Sequence, residues 1–206
     1  MRAGRSITVA ASMFMFASLA TAAGELPQVD LERAAAINAG RCMLCHGPEG
    51  DSSSPLYPRL AGQHHQYIAK QLADFKSGRR ASDTMGGMVQ DLAEDEMLAL
   101  GVFFETKPTK PREARDKDLA SVGRFIFHRG NEFSGVAACA GCHGDRGLGT
   151  EQLPRLAGQV PRYTEAQLNS FNKRQRTNDN EIMHSIASKL TELEVKAVSL
   201  YISTLD

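Results

Sequence analysis

The sequence predicts an all-α fold made of two tandem copies of one helical plan. Three observations lead there. The second half repeats the first at a constant offset, apolar residues recur at helical spacing in both halves, and each half carries one copy of the same cysteine–histidine string.

The repeat is clearest at Pro58-Arg59-Leu60-Ala61-Gly62-Gln63, which returns as Pro154-Arg155-Leu156-Ala157-Gly158-Gln159. The match continues through Tyr67 and Tyr163, Gln71 and Gln167, Leu72 and Leu168, Phe75 and Phe171, and Arg80 and Arg176. The chain therefore divides into 23–105, a linker over 106–115 and 116–206. Pro108, Pro111 and several charges stiffen that linker.

Within each half the elements follow in order. A first helix starts at Asp30, whose carboxylate can cap free N–H groups, and runs toward Cys42. Its partner spans about Asp116 to His128. A middle helix follows each Pro-Arg-Leu string, with Tyr67, Ile68, Leu72 and Phe75 as the stripe in the first half. A last helix spans roughly Ala93 to Glu105. Its counterpart opens at Thr191 with Glu194 three residues on, a capping-box pattern, and Val195, Val198, Ile202 and Leu205 share a face.

The two strings are Cys42-Met43-Leu44-Cys45-His46 and Cys139-Ala140-Gly141-Cys142-His143, and they use all 4 cysteines. C-x-x-C-H is the pattern of covalent c-type haem attachment: the thiols add to the haem vinyl groups and the adjacent histidine reaches the iron. Two copies predict two haem c groups and hence electron transfer. A redox dithiol would call for a βαβ pattern and leave the histidine unexplained twice. A zinc ribbon would call for far closer knuckles than Cys45 and Cys139. Two disulfides are the remaining competitor in an exported chain.

The sixth ligand separates a carrier from an enzyme, and methionine thioether suits a carrier. Met85 and Met88 are candidates in the first half and Met183 in the second. Met85 precedes Leu92 by the same seven residues that separate Met183 from Leu190, given a two-residue insertion before Met183. The pair is therefore Met85 and Met183, with Met88 in reserve and Met97 assigned to the core. His64, His65, His128 and His184 are read as ordinary surface or helix-end histidines. An axial histidine usually donates its other ring N–H to a carbonyl, and Pro58 lies 12 residues beyond His46 while Pro154 lies 11 beyond His143. A plain turn proline is the alternative. Arg59, Arg80, Arg155 and Arg176, with Tyr67 and Tyr163, repeat between halves as candidate propionate partners.

Residues 1–22 read as a secretory signal. Arg2 and Arg5 form its basic start, Ile7 to Ala20 its apolar run, and Ala20-Thr21-Ala22 its cleavage site before Ala23. An uncleaved anchor is the alternative, although the run is short for a spanning helix. Cleavage removes two of the 24 basic residues and leaves 22 against 24 acidic ones. Export fits the cysteine reading, because bacterial c-type haem attachment takes place outside the cytoplasm. No basic cluster with interleaved aromatics points to nucleic acid.

On these motifs the chain resembles the di-haem cytochrome c4 family, built from two class I cytochrome c domains, each wrapped around one covalently attached haem. The resemblance covers the whole mature chain. It implies facing domains with adjacent propionates, ligation by His46 and Met85 in one and by His143 and Met183 in the other, and a periplasmic carrier, often membrane-associated. It also implies redox-protein partners, an upstream quinol-oxidising or other donor and a membrane-bound terminal oxidase. Class I domains often carry a glycine in the first helix where the last helix packs. Gly123 fits that role, whereas the first half offers Ala35 and Ala36. Two other functions compete. One is an electron-accepting subunit of a larger oxidoreductase such as a sulfide-oxidising flavocytochrome. The other is a di-haem peroxidase, which would need an open iron position.

Overall fold

The computed structural model describes residues 26–52 and 54–206. The signal segment 1–22 lies outside the described residues. Ten α-helices form two similar clusters: α1 (Leu31–Ile37), α2 (Met43–His46), α3 (His65–Lys76), α4 (Asp83–Val89) and α5 (Glu94–Glu105), then α6 (Lys117–Arg129), α7 (Ala140–His143), α8 (Pro161–Asn172), α9 (Ile182–Ala187) and α10 (Glu192–Ile202). No strand occurs among the described residues; a single bridge joins Asn131 and Val136.

Local chemistry sets the helix starts. Asp30 accepts from the Arg33 N–H at 2.8 Å and Asp116 from the Leu119 N–H at 2.8 Å. Thr191 and Glu194 form the expected box, and Glu194 also accepts from Asn131 at 2.7 Å. Ala93 has no acceptor side chain, so α5 keeps only half of the box: Glu96 accepts from the Ala93 N–H at 2.9 Å.

The halves approach their motifs differently. In the first, α1 passes through a π-helical turn (Asn38–Cys42) directly into α2. Such turns occur mostly as single-turn bulges within α-helices, frequently at functional sites. In the second, α6 ends at Gly130 and the chain reverses through Asn131–Val136 before Cys139.

The first core joins Ala34 and Ile37 of α1, Ile68 of α3, and Met97, Ala99, Leu100 and Phe104 of α5, with Val89 and Leu92 beneath. Met97 is core, as its stripe position implies. The second core joins Ile126 and Phe127 of α6 to Val198 and Ile202 of α10, with Val136. Gly123 is where α6 meets α10: a Cβ there would sit 2.0 Å from the Ala197 carbonyl oxygen. The first half does not place its close approach at Ala35 or Ala36, which are exposed. It places it at Gly101 of α5, where a Cβ would lie 2.5 Å from the His65 carbonyl oxygen of α3. α1 instead meets α5 through the fully buried Ala34, and the sharpest close approach of the first half is α3 with α5 at Gly101.

Arg41 ties the motif-bearing segment to the turn after α4. Its guanidinium grips both oxygens of Asp91, at 2.6 and 3.0 Å, and donates to the Met88 carbonyl at 3.2 Å. The corresponding turn of the second half carries Lys189, which donates to the Gly135 carbonyl at 3.1 Å. A bidentate ion pair thus closes one half and one hydrogen bond the other.

Residues 106–116 carry no helix and run against both halves. The Arg112 N–H donates to the Ser203 carbonyl at 2.8 Å, and its guanidinium to the Ser52 carbonyl at 3.0 Å.

Gly123→Ala forces α6 and α10 apart, and backbone contact leaves no flexible atom to yield. It is expected to cost about 1–3 kcal/mol net of the better helix propensity of alanine. Urea unfolding of the haem-loaded protein checks this, and an unchanged midpoint contradicts the packing. The hydrogen bond from Arg41 holds the Asp91 carboxyl at about 2. Its stabilisation is complete above the ordinary carboxylate value of about 4 and is lost as pH falls through about 2. An NMR titration of Asp91 should show that low midpoint, returning toward about 4 in Arg41→Gln.

Candidate haem sites

Each site begins at a short helix, α2 or α7, that ends on a histidine. His46 and His143 are buried. The chain then turns so that a proline carbonyl comes back to each imidazole. Gly50 supports the first return by accepting from the Leu60 and Ala61 N–H groups at 2.7 and 3.0 Å. Gly147 does the same for Leu156 and Ala157 at 2.7 and 3.0 Å. As a result His46 Nδ1 lies 3.0 Å from the Pro58 carbonyl oxygen and His143 Nδ1 lies 3.1 Å from that of Pro154. A carbonyl only accepts, so each Nδ1 carries the proton and each Nε2 keeps its lone pair. Burial pushes both imidazoles below the ordinary histidine value, and the proline contact only partly opposes it. Both rings are neutral at pH 7, the form that ligates iron.

The thiols are Cys42 and Cys45 in one half and Cys139 and Cys142 in the other, and none is in a disulfide. Burial raises the Cys42 thiol, and it pushes Cys139 up to about 11. Among the described residues no group of three or more His, Cys, Asp or Glu side chains could hold an ion, so the two knuckles do not meet as a zinc ribbon would require.

Met85 lies on α4 and packs against the same core as Cys42. Its N–H donates to Ser82 at 3.2 Å. Met88, one turn on, is 44% exposed. Met183 lies near the start of α9, and its N–H donates to the Asp179 carboxylate at 2.6 Å. The other four histidines are engaged elsewhere. His64 Nε2 faces the Leu148 carbonyl at 2.8 Å, and His65 Nδ1 faces Glu105 at 2.5 Å. His128 Nε2 meets the Tyr201 hydroxyl at 2.9 Å, and His184 Nδ1 the Phe171 carbonyl at 3.0 Å.

The repeated arginines and tyrosines gather at the seam between the halves. Arg80 donates to the Tyr163 hydroxyl at 2.9 Å and to Gln167 and Gln71 at 2.8 and 2.7 Å. Arg176 answers with Tyr67 at 2.9 Å, Gln167 at 2.9 Å and Gln71 at 3.1 Å. Each guanidinium lies 4.6 Å from a phenylalanine ring centroid, Arg80 over Phe75 and Arg176 over Phe171. Burial opposes ionisation of Tyr163, yet the two guanidinium groups outweigh it and hold the phenol below its ordinary value. At the seam both guanidinium groups are partnered by neutral oxygens, an arrangement that suits haem propionates as further partners. Arg59 and Arg155 also sit at the seam, where their guanidinium groups meet the linker: Arg59 donates to the Lys110 carbonyl, and Arg155 to the Thr109 hydroxyl at 3.2 Å.

The insertion before Met183 also reaches the seam. Asn178 donates to Gln71 at 3.0 Å and to the buried Asp74 at 2.7 Å, and its carbonyl accepts from Lys70 at 2.8 Å. Neither that bridge nor the Arg41 fork has a local sequence signal, since the partners lie far apart in the chain. Paired thiols and a neutral imidazole with a free Nε2 in each half, a thioether beside the core in the first, and guanidinium groups at the seam fit haem c.

Comparison with known proteins agrees. The family model described as Cytochrome c matches residues 31–126 and 127–206. A cytochrome c4 of Thiocapsa roseopersicina is 43% identical over 184 residues, covering 87% of this chain and 95% of that protein. A thiosulfate dehydrogenase electron acceptor of Thiomonas intermedia is 34% identical over 175 residues, covering 82% of this chain and 81% of its own. The crystal structure of reduced recombinant cytochrome c4 from Pseudomonas stutzeri superposes with a TM-score of 0.82 at 34% identity, over 87% of this chain and 100% of that one. Two matching domains with two attachment strings and no sheet among the described residues place the chain in the di-haem cytochrome c4 family, with two covalently bound haem c groups.

Proposed function

We propose that the protein is an exported, periplasmic electron carrier that takes electrons from an upstream donor and passes them to a membrane-bound terminal oxidase. The observation that carries this reading is the duplicated axial imidazole, neutral, buried and fixed at Nδ1 by a proline carbonyl. Residues 23–105 and 116–206 are the two haem domains and 106–115 is their linker. Cys42 and Cys45 hold one haem, and Cys139 and Cys142 the other. His46 with Met85, and His143 with Met183, close the two irons.

Each haem, when bound, supplies an iron that exchanges one electron. The chain's own residues keep that exchange outer-sphere. The proline carbonyls hold the imidazoles still, the core beside Met85 excludes water, and Arg80 and Arg176 neutralise propionate charge at the seam. With both axial positions filled, nothing binds at iron and no bond to substrate forms. Among the described residues no helix is long and apolar enough to cross a membrane.

A second reading, an electron acceptor bound to a larger oxidoreductase, is favoured by the relative named thiosulfate dehydrogenase electron acceptor. Stable co-purification with a dehydrogenase or a flavoprotein would select it over a freely diffusing carrier.

The optical spectrum of the oxidised protein tests the ligand assignment. Two equivalents of the methionine-to-ferric-iron band are expected, one lost in Met85→Ala and one in Met183→Ala, with no fast carbon monoxide binding by the reduced wild type. Fast binding at one haem in the wild type would overturn the carrier reading in favour of catalysis.

A further inference from the structure

The two Pro-Arg-Leu-Ala-Gly-Gln strings meet across the seam, and their glutamines reach reciprocally into the opposite half. Gln159 Oε1 accepts from the Arg59 N–H at 2.8 Å, and its Nε2 donates to the Arg59 carbonyl at 3.0 Å. Gln63 Oε1 accepts from the Arg155 N–H at 2.8 Å, and its Nε2 donates to the Arg155 carbonyl at 2.9 Å. The Arg59 N–H shares one peptide group with the Pro58 carbonyl, the acceptor of His46 Nδ1–H at 3.0 Å. The Arg155 N–H likewise shares one with the Pro154 carbonyl, the acceptor of His143 Nδ1–H at 3.1 Å. Each axial histidine is therefore two hydrogen bonds and one conjugated peptide unit from a glutamine of the other half.

We propose that Gln159 tunes the first haem and Gln63 the second, each acting through the peptide group that holds the opposite half's axial histidine. The inference rests on His46 and His143 being the axial ligands. Hydrogen bonds in series polarise one another. A glutamine oxygen drawing on the Arg59 N–H makes the Pro58 carbonyl a stronger acceptor. That draws the His46 Nδ1 proton outward and makes Nε2 a better donor to iron, which favours the ferric state. Gln63 acts on His143 in the same way. The repeated string thereby has a division of labour: proline gives the carbonyl, arginine the peptide N–H, and glutamine the contact from across the seam. Gln63 and Gln159 are positioning residues, since neither touches iron.

The test is an NMR-followed redox titration of the full, haem-loaded chain, in which the ring protons of each axial imidazole report their own iron. Gln159→Leu removes the acceptor. It should raise the potential of the first haem by a roughly tenfold change in its one-electron equilibrium, about 59 mV, and leave the second in place. Gln63→Leu should do the mirror image. Gln159→Glu keeps an acceptor for the Arg59 N–H and charges it, while giving up the Nε2 donation to the Arg59 carbonyl. It should lower the first potential, and it keeps the test alive if the leucine variant fails to fold. In the reduced protein the His46 Nδ1–H signal should move upfield in Gln159→Leu and downfield in Gln159→Glu. Equal shifts at both haems, a shift confined to the mutated half, or no shift would each overturn the relay. If the His46 and His143 rings lack the strong haem ring-current shift in the wild type, the ligand assignment itself has failed.

Discussion

Two buried guanidinium groups govern the seam between the halves. Burying such a charge is costly unless it is paired and hydrogen-bonded. Neither Arg80 nor Arg176 could meet that demand within its own half. Each stacks on its own phenylalanine, but its tyrosine comes from across the seam, and the oxygens of Gln71 and Gln167 serve both arginines. Separating the halves would strip these partners and leave buried donors unpaired. The mutual orientation of the two cytochrome domains is therefore set by polar satisfaction rather than by a shared apolar core, and haem propionates would complete the charge balance.

Around that fixed seam the two sites share a skeleton and differ in their fastenings. Both use the same glycine-supported loop to bring a proline carbonyl to the imidazole of His46 or His143. The methionine segments are secured differently. The turn after Met85 is closed within its own half by the Arg41–Asp91 fork. The segment before Met183 is fastened across the seam by Asn178 and capped by Asp179. The two methionines therefore sit in mechanically unequal surroundings, one answering to its own domain and the other to the docking of both.

What the sequence made legible was mostly local. Caps at Asp30, Asp116 and Thr191 could be read because a helix start needs only a few residues. The His–Pro pairing could be read because the spacing recurs. The long-range features could not. Asp91 is 50 residues from Arg41, and no propensity links them. The π-helical turn at Asn38–Cys42 uses residues that would serve equally in an α-helix. The close approach at Gly101 was obscured because family likeness directs attention to the first helix, where Ala35 and Ala36 turned out to be exposed. The four repeated arginines looked alike in sequence, as candidate propionate partners, but the guanidinium groups of Arg59 and Arg155 meet the linker while those of Arg80 and Arg176 reach tyrosines of the opposite half. Only the way the halves dock separates the two pairs.

The reciprocity of Gln63 with Arg155 and of Gln159 with Arg59 has a consequence for how such a chain can change. Contacts in which one residue meets a second, and the second's counterpart meets the first's, are those of a two-fold symmetric dimer. In a true dimer every substitution appears twice and must suit both copies. Joining the copies through residues 106–116 removes that restriction. The Asn178 insertion, the Arg41 fork and the close-packed Gly101 of α5 each occur on one side only, changes open to a fused pair and closed to a symmetric one.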